Sequence, residues 1–259
     1  LKIVSKKYEG YISPHVALGK IHEEKKDITA ALAEYIQAGT MMYETGLHAE
    51  ALHVFSKVLS LKEGIPGIYV YQGKIYEEKN QIDTAILNYR KAHELKANGK
   101  LLSHIGYLYF SKNDFKSAIK YFDSAILIDP NDSQSHFLKG ITYSHEGKFS
   151  KAENAFQKAI KIKEDDLYLY YLAGVQEKQN KIYETIRALK RAIELNPENS
   201  RAYNYLGYLY ADRNMKLEES VRLVQRALEM EPENGAYLDS LGWAFYRQKK
   251  YSEALDFLL

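Results

Sequence analysis

The sequence predicts an all-α solenoid of antiparallel helix pairs, about seven repeats long, and two observations carry that reading. Glycines stand at positions 73, 106, 140, 174, 207 and 242, in steps of 33, 34, 34, 33 and 35 residues. Each period holds two apolar stripes at helical spacing, parted by polar turns such as "SKND", "HEGK" and "RQKK". A fixed period of this size marks units that bury their apolar faces only by stacking on their neighbours.

Along the chain, residues 1–65 are the less regular part. The stretch "SPHVALGKIHEEKKDITAALAEYIQAG" reads as one whole unit through Gly19, His22, Ala31, Tyr35 and Ala38. "GLHAEALHVFSKVLSL" reads as a second helix, with Ala51, Phe55 and Val58 at core spacing. Both cannot be standard, because too few residues separate Ala38 from Gly46 for another helix. A longer helix over residues 28–45, shared by two adjacent units, reconciles them. The whole chain then holds about fifteen helices.

Residues 66–259 form the regular array. Gly73 is followed by Tyr76, Ala85, Tyr89 and Ala92, at offsets of 3, 12, 16 and 19. Gly106 is followed at the same offsets by Tyr109, Ala118, Phe122 and Ala125, and then by Pro130; Gly140 by Tyr143, Ala152, Phe156 and Ala159. Gly174 has Thr185, Leu189, Ala192 and Pro197, all one residue early. Gly207 has Tyr210 in register, and then the "RNMKL" turn delays Ser220, Val224, Ala227 and Pro232 by one. Gly242 is followed by Phe245 and Ala254. A glycine inside a helix costs about 1 kcal/mol relative to alanine, so its recurrence implies close helix–helix approach. The small residues at offsets 12 and 19 do the same for the second helix, and the large ones at 3 and 16 fill the gaps. Pro130, Pro197 and Pro232 each follow a helix, where a residue lacking an N–H ends the ladder.

This pattern of period, small residues, rings and closing proline resembles the tetratricopeptide repeat family over residues 66–259. The departures are Ala97 and Glu164 in place of the closing proline, and Tyr, Leu or His where the family often has an early Trp. The resemblance implies a right-handed superhelical solenoid, with first helices lining a concave face and second helices a convex one. The segment from Ala202 to Leu255 also looks like that of bacterial envelope-associated repeat proteins, often lipid-anchored, which favours a periplasmic or outer-membrane setting over the cytoplasm.

On a first helix, positions −4, −1, 0 and +3 about the glycine share the core face, while −6, −3, +1 and +4 lie on another. In "RAYNYLGYLYADRN" the first set is Tyr203, Leu206, Gly207 and Tyr210; Tyr205 falls in neither. The second set gives Lys100, Ser103, Tyr107 and Phe110; Gln134, Phe137, Ile141 and Ser144; Tyr168, Tyr171, Val175 and Lys178; Arg201, Asn204, Tyr208 and Ala211; and Ala236, Asp239, Trp243 and Tyr246. An idle solvated face would carry Lys, Glu and Gln. Here Tyr107, Phe110, Phe137, Ile141, Tyr171, Tyr208, Trp243 and Tyr246 form an aromatic strip, and large rings of this kind dominate binding hot spots. The alternative is that close packing buries these rings against neighbouring first helices. The polar members are scattered, so the clamp by which relatives grip acidic C-terminal peptides is not supported. The expected ligand is a protein or peptide segment with apolar or aromatic side chains, its backbone met by Asn204 and Asp239, with Arg201 beside them.

Signs of catalysis are missing from the sequence: it has no phosphate-binding loop, no HExxH and no nucleophile elbow. His48 and His53 are five apart, which does not pair them on a helix as metal ligands; His104 and His136 lie on first helices within reach of a ligand. No cofactor, metal or enzymatic activity is expected. The formal charge of +2 argues against nucleic acid, and no apolar run approaches the roughly 20 residues of a membrane span. The first residue is Leu1 and "YSEALDFLL" stops within a helical pattern, so both ends read as cut, and any signal peptide, lipid anchor or neighbouring domain would lie outside this sequence. The leading expectation is an interaction scaffold or adaptor. The rivals are a substrate-recruiting module of a larger enzyme, a glycosyltransferase or protease system, and a homo-oligomer formed by stacking of end repeats.

Overall fold

The computed structural model describes residues 2–258, and among them it holds fifteen α-helices and no strand. The chain divides after Ile128 into two compact units. The first contains α1 (Lys2–Glu24), α2 (Ile28–Glu44), α3 (His48–Leu61), α4 (Pro66–Glu78), α5 (Ile82–Leu95), α6 (Gly99–Ser111) and α7 (Phe115–Ile128). The second contains α8 (Ser133–His145), α9 (Phe149–Ile162), α10 (Asp166–Lys178), α11 (Ile182–Leu195), α12 (Ser200–Asp212), α13 (Leu217–Met230), α14 (Gly235–Arg247) and α15 (Tyr251–Leu258). Successive helices pair as hairpins: α4 with α5, α6 with α7, and α8 to α15 two by two.

Local chemistry fixes where these helices start and turn. First helices α6, α8, α10, α12 and α14 each begin behind an Asn or Asp whose side chain accepts an N–H of the first turn: Asn98, Asp132, Asp165, Asn199 and Asn234. Such a cap contributes about 1 kcal/mol. Helix α4 instead opens with Pro66, whose missing N–H would have had no intrahelical partner. Each turn from first to second helix passes through the left-handed region, as at Asn80, Asn113 and Asn180, and the turn after α12 does so twice, at Asn214 and Lys216. Asn tolerates that conformation better than other residues with a Cβ, and Gly147 serves the same position after α8.

The hairpins close on the glycines. A Cβ added to Gly73 would lie 2.5 Å from a ring atom of Tyr89, one on Gly106 2.7 Å from Phe122, and one on Gly140 2.6 Å from Phe156. The offset-16 ring thus packs against the bare backbone of the first helix, and Phe122 and Phe156 are wholly buried there. Burying a ring of this size contributes about 1.5–3 kcal/mol, enough to outweigh the helical glycine.

Helix α2 is shared, as the sequence suggests, and it does two jobs. Tyr35 lies over Gly19 of α1, which makes α2 a second helix; Phe55 of α3 lies over Gly39 of α2, which makes it a first helix as well. The turns on both sides of α2 are of the first-to-second kind, with left-handed residues at Lys26 and Gly46. Gly39 therefore opens its own register through Met42, Ala51, Phe55 and Val58, and lies one period of 34 residues before Gly73. No helix among the described residues is long and apolar enough to cross a membrane.

Candidate binding groove

In the second unit three first helices each present an exposed ring, while Tyr183 on α11 and Tyr251 on α15 are exposed on second helices. Tyr171 on α10, Tyr208 on α12 and Tyr246 on α14 are 38%, 41% and 48% exposed. Trp243 is half-buried, stacked on Tyr246 with centroids 5.3 Å apart and covered by the Arg247 guanidinium at 5.5 Å. Arg247 is held in turn by donating Nη1 to the Asp212 carbonyl at 3.1 Å, near the end of α12 where helix carbonyls point outward. Among the described residues, neither the indole N–H of Trp243 nor Oδ1 of Asn204 has a hydrogen-bond partner, although both atoms are covered. Leaving such a group unpaired costs about 1–3 kcal/mol. Arg201 and Asp239 are exposed on the same two helices, α12 and α14.

Other members of the expected strip serve the stack. Phe137 and Ile141 are half-buried against the core cluster of Ala152, Phe156, Leu172 and Val175. Phe137 stacks on Tyr168 at 4.4 Å and meets Tyr171 edge-on at 5.3 Å. The expectation that Tyr168 and Val175 face the groove is corrected: both are buried, Tyr168 under Phe137 and Val175 within that cluster. Of the core set in the "RAYNYLGYLYADRN" helix, Leu206, Gly207 and Tyr210 are buried and Tyr203 is half-buried.

Sequence reasoning left Tyr205 unassigned, and by the same rule Tyr170, four before Gly174, falls on the core face; the structure gives both a place. Their rings meet edge-on at 5.7 Å, and the Tyr205 hydroxyl donates to Glu177 at 2.5 Å. Burial, together with that carboxylate, pushes the Tyr205 phenol far above its usual range. With Phe149, Tyr171, Gly174 and Lys178 they line a cavity of about 430 Å3. The signal was present in the sequence: the repeat that starts at Gly174 has no ring at offset 16, and Leu189 comes one residue early.

In the first unit Tyr107 is 46% exposed and stacks on His104, whose centroid is 6.3 Å away, while Phe110 is half-buried against Phe115. The neighbouring cleft, about 520 Å3, combines charged side chains with the rings of Tyr43 and Tyr89. Its wall carries Lys74, Glu77, Glu78, Lys100 and His104, with Glu77 accepting from the Tyr89 hydroxyl and lying 2.8 Å from His104 Nε2. Lys74 sits 5.9 and 5.7 Å from the rings of Tyr43 and Tyr71.

Comparison with known proteins agrees with this architecture. Sequence models of the tetratricopeptide repeat match residues 99–132, residues 121–154 and 188–222, and residues 211–259. Human tetratricopeptide repeat protein 13 is 28% identical over 59% of this chain and 18% of its own length. Across the first curated relatives, the chain spans between 18% and 36% of their lengths. Among solved structures, the C-terminal part of a repeat-containing protein from Cytophaga hutchinsonii superposes with a TM-score of 0.68, at 19% identity, over 86% of this chain and 99% of that one. YrrB, described as a tetratricopeptide-repeat protein with an unusual peptide-binding site, gives a TM-score of 0.57 at 22% identity, over 66% of this chain and 88% of its own.

Proposed function

This chain belongs to the tetratricopeptide repeat family, a protein-interaction fold, and we propose that it acts as a scaffold or adaptor whose first helices hold a partner segment. The partner carries aromatic or aliphatic side chains. The observation behind this reading is the exposure of Tyr171, Tyr208 and Tyr246 on successive first helices of one unit, where a purely structural face would be charged. Tyrosines at such positions offer a large area at low entropic cost.

The test uses Trp243, the only tryptophan of the chain, as its own reporter. Peptides are selected from a random peptide library and then titrated while Trp243 emission is recorded. Selected sequences rich in Phe, Leu, Ile or Tyr, binding weakened about tenfold or more by the double substitution Tyr208→Ala/Tyr246→Ala, support the proposal. Unchanged affinity in that variant, with its circular dichroism intact, refutes it.

A further inference from the structure

Gly174 lacks the neighbour that explains six other repeat glycines. A Cβ built on Gly19, Gly39, Gly73, Gly106, Gly140 or Gly207 would strike a ring or a valine at 2.5–2.8 Å, whereas one built on Gly174 meets nothing within 4 Å. Those six are buried and Gly174 is half-exposed. A glycine inside a helix is destabilising, and elsewhere a packed side chain offsets the loss. At Gly174 no such side chain is present, and the bare backbone forms part of the wall of the cavity between Phe149, Tyr170, Tyr171 and Tyr205. Glycine is the residue that lets a ligand approach a backbone closely.

We infer that this cavity receives an aromatic side chain of the partner, carried beside an acidic residue. Resting on the reading given above for the second unit, the inference adds where the anchor goes and what flanks it. The ring preference follows from the walls, since aromatic pairs gain from stacked and edge-on contacts beyond area alone. The acidic preference follows from charge. Lys178 lines the cavity, and no carboxylate does, Glu177 being engaged by the Tyr205 hydroxyl behind the wall. A cage of tyrosines alone would also suit a cation, by attraction to the ring faces. Lys178, one turn beyond Gly174 in the same wall, opposes that occupant.

The experiment compares three fluorescein-labelled nonapeptides of Gly and Ser around a central motif: Phe between two glutamates, Phe between two lysines, and trimethyllysine between glycines. Anisotropy is read with the wild type, Gly174→Leu, Gly174→Ala, Lys178→Glu and Tyr208→Ala/Tyr246→Ala. Gly174→Leu fills the cavity where space is open, so its thermal midpoint stays level or rises; Gly174→Ala is the milder filling should leucine disturb the fold. The expected result is saturable binding of the Glu-flanked peptide, weakened about tenfold by Gly174→Leu and shifted toward the Lys-flanked peptide by Lys178→Glu. No saturable binding of that peptide up to about 1 mM overturns the inference, as does a preference for trimethyllysine. Binding lost in Tyr208→Ala/Tyr246→Ala but kept in both Gly174 variants overturns the pocket and leaves the groove standing. Binding kept in every variant removes both.

Discussion

The hydroxyl of Tyr89 donates to Glu77 at 2.8 Å, from a ring laid across Gly73. The same arrangement holds where the Tyr35 ring crosses Gly19 and its hydroxyl reaches Glu23 at 3.0 Å. In both cases the carboxylate sits four residues after the glycine and the tyrosine sixteen. Where the offset-16 ring is Phe55, Phe122 or Phe156, the residue at offset four is Tyr43, Phe110 or Ser144, none of them an acid. The choice between Tyr and Phe beneath a repeat therefore follows from whether an acceptor waits at the end of the first helix. A buried phenol without one would be destabilising.

Alkaline sensitivity follows from these pairs. Burial and Glu23 push the Tyr35 phenol up to about 12, and burial with Glu77 carries Tyr89 higher still. The folded state therefore holds these protons more tightly than the unfolded chain, whose phenols titrate near 10. Their contribution is fully present below about pH 10 and is lost as pH rises through the folded values. Urea midpoints measured from about pH 8 to 11.5 should fall steeply for the wild type and less steeply for Tyr35→Phe/Glu23→Gln. Parallel curves would remove the pair from the explanation.

The Tyr89–Glu77 bond itself should contribute on the order of 1 kcal/mol, since the ring is 2% exposed and the acceptor is charged. Tyr89→Phe and Glu77→Gln, alone and together, form a double-mutant cycle that isolates it. A coupling near zero by chemical denaturation would mean that His104, 2.8 Å from the same carboxylate, satisfies Glu77 without the phenol.

The repeat was legible because its cause is steric. A ring at a fixed offset from a glycine leaves a mark that survives changes in every other residue, and the Asn of the turns leaves another. The double use of α2 was half legible. Tyr35 and Phe55 are visible as rings, but Gly39, 34 residues before Gly73, falls inside the second helix of the unit that opens at Gly19, where no repeat glycine is expected. The groove was harder. Angular position on a helix says which residues share a face, but whether a ring there stays exposed depends on its neighbour. Phe137 is half-buried because Tyr168, 31 positions later, stacks on it. Tyr170 and Tyr205 matter because a ring is missing from another helix, and a pattern search built on presences passes over an absence.

Acid sensitivity should concentrate at Glu153. Its side chain is 12% exposed, and it accepts from Lys181 at 2.5 Å, Gln179 at 2.9 Å and Gln176 at 3.4 Å, tying α9 to α10 and α11. Burial raises its pKa, but the three donors outweigh burial and hold the carboxyl below the ordinary value of 4.5. A depressed folded value means stability that is present above about pH 4.5 and lost as pH falls. Between about pH 5 and 3, Glu153→Gln should lose less stability than the wild type, from a lower starting point. If the two fall by equal amounts, the acid transition belongs to other carboxylates.

The sign of one substitution decides whether α2 truly serves twice. Were α2 only the partner of α1, Gly39 would be an ordinary helical glycine, and alanine there would stabilise by about 1 kcal/mol. In the structure a Cβ at Gly39 falls 2.5 Å from Phe55 Cε1 and 2.9 Å from Cδ1, against a ring with no exposure. Overpacking of this kind costs about 1–3 kcal/mol. Gly39→Ala should therefore lower the denaturation midpoint, whereas Gly67→Ala in α4, with nothing within 4 Å of the added carbon, should leave it level or raise it. The double variant Gly39→Ala/Phe55→Leu adds the discriminating step: a smaller, flexible side chain at Phe55 makes room, so the penalty of the alanine should shrink in that background. An undiminished penalty would show that the cost lies in α2 itself and not in the ring above it.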